Sequence, residues 1–323
     1  MAYTTIDKPS DYFETKLYTG NGGTQSITGL DFAPNWVWLK ARSATEGHAI
    51  FDTVRGVQKR IGSNGNDVEN DQSSYLTAFG TEGFTVGSSG LVNSNSTTYV
   101  SWNWKESTVA GFDIIAYQGT GSNLDLSHNL SAIPDWIMIK DRSVDQAWRV
   151  YHKSMGFSNR LVLSETGGKS TSALGLDADP TSSVINIGTG TGTTNTNGDN
   201  YICYAFKNVQ GFSKFGSYTG VDSITNNSFI YLGFSPAWVM IKKTNGTNDW
   251  GIFDNKRNSF NPTGLALDAS NSNAESVNGT IDMLSNGFKV RSDSGLTGDG
   301  EYIYMAFAEN PFVTSTGVPA TAR

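Results

Sequence analysis

One heptad, written three times, constrains this chain more than anything else in it. PNWVWLK begins at Pro34, PDWIMIK at Pro134 and PAWVMIK at Pro236, 100 and then 102 residues apart. Self-similarity at a fixed period marks a repeated supersecondary unit. The likeness runs well past the heptad. Each copy opens on a short strand with a tyrosine before a turn: KLYTGNG at Lys16, IAYQGTG at Ile115 and GSYTGVD at Gly216. About ten residues after each Pro-x-Trp strand comes a second apolar strand: HAIFD from His48, WRVYH from Trp148 and WGIFD from Trp250. Gly-Phe strands follow at Gly83 and Gly287, with SSVINIG in that place in the middle copy. Each copy closes on an aromatic strand containing Tyr99, Tyr201 or Tyr302.

The expected organisation is three tandem units, 13–110, 111–210 and 211–312, with a leader, 1–12, and a tail, 313–323. The leader and tail lack an apolar pattern, so both are expected to order only against a neighbour. No Pro/Ser linker separates the units, so they should pack as one rigid body. The fold class expected is all-β: three antiparallel β-sandwich-like repeats of about 100 residues each. Composition agrees, with 36 Gly, 12% aromatic and only 16% charged residues, a turn-rich and strand-favouring balance.

On a strand, Trp36, Trp38 and Lys40 share one face and Val37 and Leu39 the other. Both faces are apolar, so this strand should be central and covered on both sides. The prolines are expected at its first position, where a missing donor is tolerated. The Asp- and Asn-rich segment from Gly62 to Ser74 reads as a helical turn or a long loop. Cys203 lies in the apolar run YICYAF, and a lone cysteine there reads as a small buried hydrophobe. Trp36, Trp136 and Trp238 recur in all copies and read as core. Trp102, Trp104 and Trp148 lack a tryptophan counterpart in every copy, which makes them the candidates for exposed ligand or partner contacts.

Charge and motifs exclude several classes. A net charge of −7 and a pI near 5.0 lack the basic footprint of a nucleic-acid binder. No apolar run is long enough for a membrane helix, and the start lacks the apolar core of a signal peptide, so folding in a cytoplasm is expected. GGKS at Gly167 fails as a phosphate loop, because Leu163 stands where the first glycine belongs. GTGTGTTNTNG at Gly188 reads as a hairpin turn in a Thr-rich β context. His152 stands where the other copies have Asp52 and Asp254, which fits a strand-end polar group better than a shared catalytic base. Asp67, Glu69 and Asp71, and Asp299 with Glu301, could supply oxygen ligands to calcium, but their spacing does not fit an EF-hand loop. No catalytic, cofactor-binding or metal residues are assigned, and no enzyme is expected.

The runs YFETKLYTGNGGTQSITGL, GFSKFGSYTG, YLGFSPAWVMIK, LSNGFKV and YIYMAFAENPF, with the leader MAYTTIDKPSDYF, resemble a triplicated-repeat virion structural protein family of marine bacteriophages. The resemblance covers nearly the whole chain. It implies a tail appendage or fibre component, assembled in the host cytoplasm into the virion, that docks on other virion proteins through its leader or tail. Its loops would present to a host surface glycan or receptor. The alternatives are a capsid or neck decoration protein and a surface-polysaccharide depolymerase. A homotrimer is a further expectation, since phage fibres are often trimeric, although three repeats already supply pseudo-threefold symmetry in one chain.

Overall fold

A computed structural model describes residues 2–171, 175–190, 192–223, 227–292 and 295–319. Its secondary structure is almost entirely antiparallel strand, with one four-residue α-helix, Gly90–Asn93, and a few 3-10 turns. One strand order recurs three times. The opening strand pairs with the closing strand, which pairs with the tryptophan strand, which pairs with the second apolar strand. These are Phe13–Thr19, Thr98–Trp104, Trp36–Ala41 and Ala49–Asp52, then Phe112–Gln118, Asn200–Phe206, Trp136–Asp141 and Arg149–His152, then Ser213–Gly220, Gly300–Pro311, Phe234–Lys243 and Trp250–Asp254.

Even the register repeats. One cross-sheet row reads Phe13, Trp104, Trp36, Asp52; the second reads Phe112, Phe206, Trp136, His152; the third reads Ser213, Phe307, Trp238, Asp254. A smaller sheet covers the other face of each. Gln25–Thr28 pairs with Gly83–Val86, Leu124–Ser127 with Val184–Ile187, and Phe229–Tyr231 with Gly287–Val290. In the third unit, Thr263–Asp268 pairs with Trp250–Asp254 on one side and Ser276–Leu284 on the other, and Ser276–Leu284 pairs with Gly287–Val290, which joins the sheets into one of eight strands.

Strand alternation decides which core each residue enters. Trp36 and Trp38 face a central core shared by all three units, together with Trp136, Met138, Trp238 and Met240. Val37 and Leu39 face a satellite core between the two sheets of their own unit, as do Ile137 and Ile139, and Val239 and Ile241, in theirs. The tryptophan strand is therefore covered on both sides. The sequence anticipates the satellite cores; the central one arises because three one-sided surfaces have only each other to pack against. Pro34 and Pro134 lie just before their strands, whereas Pro236 sits within its strand at a register shift, where a missing N–H breaks no ladder bond.

Trp102, Trp104 and Trp148 are 0%, 1% and 0% exposed, so the expectation that they form an outer contact surface is corrected. Trp104 lies 4.4 Å from Trp36 and 4.9 Å from Phe13, centroid to centroid, inside the shared core. Copies differ here because three unlike side chains fill one central space, not because one ring turns outward. Cys203 is fully buried, and burial pushes its thiol well above the usual range.

The leader also departs from expectation. Ile6 is 2% exposed and joins the central core. Tyr3 Oη donates to Gly233 O at 2.8 Å, and Thr4 Oγ1 to Gln210 O at 2.8 Å. Asp7 accepts from Ser315 N at 2.6 Å, so leader and tail hold each other. An apolar pattern failed to flag the leader because one buried isoleucine and a few backbone contacts anchor it.

Candidate functional site at the unit junctions

The segment after each second apolar strand is neither a helix nor a free loop. It crosses to a neighbouring unit and clasps it through equivalent bonds. His48 and Trp148 stand immediately before the second apolar strands of their units, and Trp250 opens that of the third. His48 Nε2 donates to Asp268 O (3.0 Å), Trp148 Nε1 to Gly62 O (2.7 Å) and Trp250 Nε1 to Val162 O (2.9 Å). The proton on His48 is fixed by its other side: Trp38 Nε1, which can only donate, points at Nδ1 (2.8 Å), so Nε2 carries the hydrogen. Burial holds this ring neutral, well below the usual histidine range.

Three lysines repeat the pattern. Lys40, Lys140 and Lys242 are the next-to-last residues of the tryptophan strands, fully buried. Their ammonium groups donate to Ser272 O (3.3 Å), Asn66 O (3.1 Å) and Thr166 O (2.7 Å) on the neighbouring unit. Burial pushes each down to about 8, and the carbonyls take the place of a carboxylate partner. Three residues further along each clasp, Glu275 N donates to Arg42 O (2.8 Å), Glu69 N to Arg142 O (3.2 Å) and Lys169 N to Thr244 O (2.7 Å). In every set the first unit meets the third, the second meets the first and the third meets the second, so the clasps close a ring.

Two junctions carry a buried ionic chain. Arg55 donates to Asp52 (2.5 Å) and Glu69 (3.1 Å), and Arg142 grips Glu69 with two bonds (2.9 and 2.8 Å). Arg257 donates to Asp254 (2.5 Å) and Glu275 (3.1 Å), and Arg42 grips Glu275 with two more (3.0 and 2.9 Å). Each aspartate also accepts from the closing strand of another unit: Tyr204 Oη to Asp52 (2.6 Å) and Trp102 Nε1 to Asp254 (3.0 Å). Burial raises the Glu69 carboxyl, but Arg142 and Arg55 hold it below its usual range overall. Glu69 is thus fully engaged by arginines, which argues against the calcium role considered for it.

At the third junction the ionic chain is gone. His152, Met155, Lys169 and Thr244 stand at the positions of Asp52, Arg55, Glu69 and Arg142, and Met305 at that of Tyr204. Met155 joins the central core. Burial pushes His152 down to about 3; its Nδ1 accepts from Ser154 N (3.0 Å), while its Nε2 has no partner among the described residues. Lys169 pairs with Glu301 instead (3.2 Å). A cleft of about 460 Å³ opens where the arginine would lie.

Sequence reasoning missed these junction residues. The available signal was the joint change at positions 152, 155, 169 and 244 relative to both other copies. Among the described residues, no group of three or more His, Cys, Asp or Glu is placed to hold a metal ion, and no helix is long and apolar enough to cross a membrane.

Neither a curated protein nor a solved structure matches the chain. A family described as a domain of unknown function, DUF7483, has a model that matches residues 8–311. That span takes in all three units and every clasp between them, and the chain therefore belongs to the DUF7483 family.

Proposed function

We propose that this chain is a structural protein of a bacteriophage virion, a tail appendage that presents loops for adhesion to a host surface. The observation that carries the reading is the closed ring of clasps. Its buried carboxylates are held by arginines and its tryptophans by core contacts, so the polar chemistry of the interior serves rigidity. A rigid body assembled from three like units multiplies one outer surface, and loops on a fixed scaffold are free to vary for recognition. Docking on other virion proteins is assigned to the face where the leader meets Ser315.

The test is to locate the chain, with its copy number, in intact particles by electron cryomicroscopy. Density at the tail supports the proposal. Density on the capsid or neck replaces it with a decoration role. Loss of polysaccharide viscosity on incubation with the pure protein would replace it with a depolymerase.

A further inference from the structure

We infer that the cleft at the junction of the second and third units binds a neutral polyhydroxylated ligand, a carbohydrate unit. This deepens the adhesion reading above and rests on it for biological sense, not for its geometry.

Four serine and threonine side chains line the cleft: Ser154, Ser217, Thr219 and Thr244. Those of Ser154, Ser217 and Thr219 make no hydrogen bond to another described residue. Across from them stand Lys169 and Glu301, 38% and 58% exposed and 3.2 Å apart. An exposed pair of this kind is worth little by itself, so a ligand can part it at small cost. The loop carrying Lys169 is well fixed: Lys169 N is bonded to Thr244 O, and a side chain at Gly168 would put its Cβ 2.8 Å from that same oxygen. The hydroxyl-bearing strand Ser213–Gly220 is the edge strand of its sheet, and it lines the cleft together with Glu301, Tyr302 and Ile303 of the closing strand it pairs with.

Charge selects the ligand class. A charged ligand gains from one member of the pair and is opposed by the other, so neither sign is favoured. A vicinal diol satisfies both, since one oxygen accepts from the ammonium while the neighbouring hydroxyl donates to the carboxylate. Serine and threonine hydroxyls can serve as either partner. The sister junctions show what fills this space otherwise: the guanidinium of Arg42 or Arg142, bonded twice to a glutamate. Replacing that arginine with Thr244 and that glutamate with Lys169 vacates the space and leaves polar groups lining it.

The full chain is titrated with neutral hexasaccharides of glucose, galactose and mannose, and with hexagalacturonate and tetralysine as charged probes, by calorimetry and saturation-transfer NMR. A neutral hexasaccharide should bind, and the charged probes should bind at least tenfold more weakly. Thr244→Arg with Lys169→Glu, which copies the sister junctions, should weaken binding about tenfold or more, the loss expected from one or two charge-assisted bonds. Ser217→Ala with Thr219→Val, on an exposed edge, should weaken it several-fold without moving the melting temperature. The inference is overturned if no neutral probe binds, or if binding survives both pairs of substitutions unchanged. Attachment to bacterial cells that persists in a chain blind to all neutral probes would overturn the cleft and leave adhesion standing. Saccharide binding lost in both variants, with no attachment to cells, would support the cleft and remove adhesion.

Discussion

Arg257→Met places at the first–third junction the residue that the third–second junction already has at its equivalent, Met155. Arg257 is fully buried and satisfies Asp254, Glu275 and Ile252 O. Its removal leaves Glu275 with Arg42. Asp254 keeps Trp102 Nε1 and the backbone N–H groups of Lys256 and Arg257, but it loses the positive charge that was bonded to it. Breaking a buried pair from one side costs about 3–5 kcal/mol. Unfolding entropy for a chain of this length is about 0.7 kcal/mol per kelvin, so the melting temperature should fall by roughly 4–7 °C. The triple variant Trp102→Met, Asp254→His, Arg257→Met copies Met305, His152 and Met155. It removes the aspartate together with its two side-chain donors and should cost less than the double variant Trp102→Met, Arg257→Met, which loses the same buried indole but keeps the unpaired charge. Paired calorimetric and denaturant melts measure all three. A loss below about 1 kcal/mol for Arg257→Met, or a triple variant markedly worse than the double, would refute the view that these residues act as one unit.

Three further outcomes are expected. His152 titrates near 3 when folded and near 6.5 when unfolded, so its contribution is whole above pH 6.5 and is lost as pH falls toward 3. Between pH 6.5 and 4.5 this amounts to about 2–3 kcal/mol, and denaturant melts of His152→Gln should be flatter by that amount; equal slopes would contradict it. Gly119→Ala places a Cβ 2.1 Å from Thr196 O, and Gly20→Ala one 2.1 Å from Ser94 O. A fixed backbone atom in the way should cost each variant about 2 kcal/mol or more, and a neutral result by urea melts would show that the turn yields. Deleting residues 1–7 removes buried Ile6 and its anchors, which should lower stability by about 2–4 kcal/mol; unchanged melting would restore the view of the leader as a free arm.

Much of the scaffold was legible because strand periodicity reports faces directly. Trp36 and Trp38 against Val37 and Leu39 announce a strand with two apolar sides, and the structure supplies a core for each. Periodicity does not report what lies beyond a face. Nothing within one copy says that the Trp36 side meets two sister sheets, so Trp102 and Trp148, which hold those sheets together, looked like odd residues free to be exposed. The clasps were hidden for a related reason. Their bonds go mostly to carbonyl oxygens, at Gly62, Val162, Asp268, Asn66, Thr166 and Ser272, and backbone acceptors leave no mark on residue type.

Side-chain pairing does leave a mark, and it is a joint one. Removing only Arg55 from the set Asp52, Arg55, Glu69 and Arg142 leaves Asp52 buried without its cation, and removing only Asp52 leaves the buried Arg55 guanidinium with Glu69 as its carboxylate; breaking such a pair from one side costs several kcal/mol. Apolar replacement of the whole set can be close to neutral. The middle copy shows this end state, with Met155 in the core and a neutral His152 beside it. A chain with three like junctions can therefore give up the ionic chain at one of them and keep the ring closed through backbone clasps. The space released lies at the rim, where Lys169 and Glu301 remain exposed. Triplication thus permits one junction to diverge while two preserve the scaffold, which is why a binding cleft is sought at the junction that breaks the symmetry and not at those that keep it.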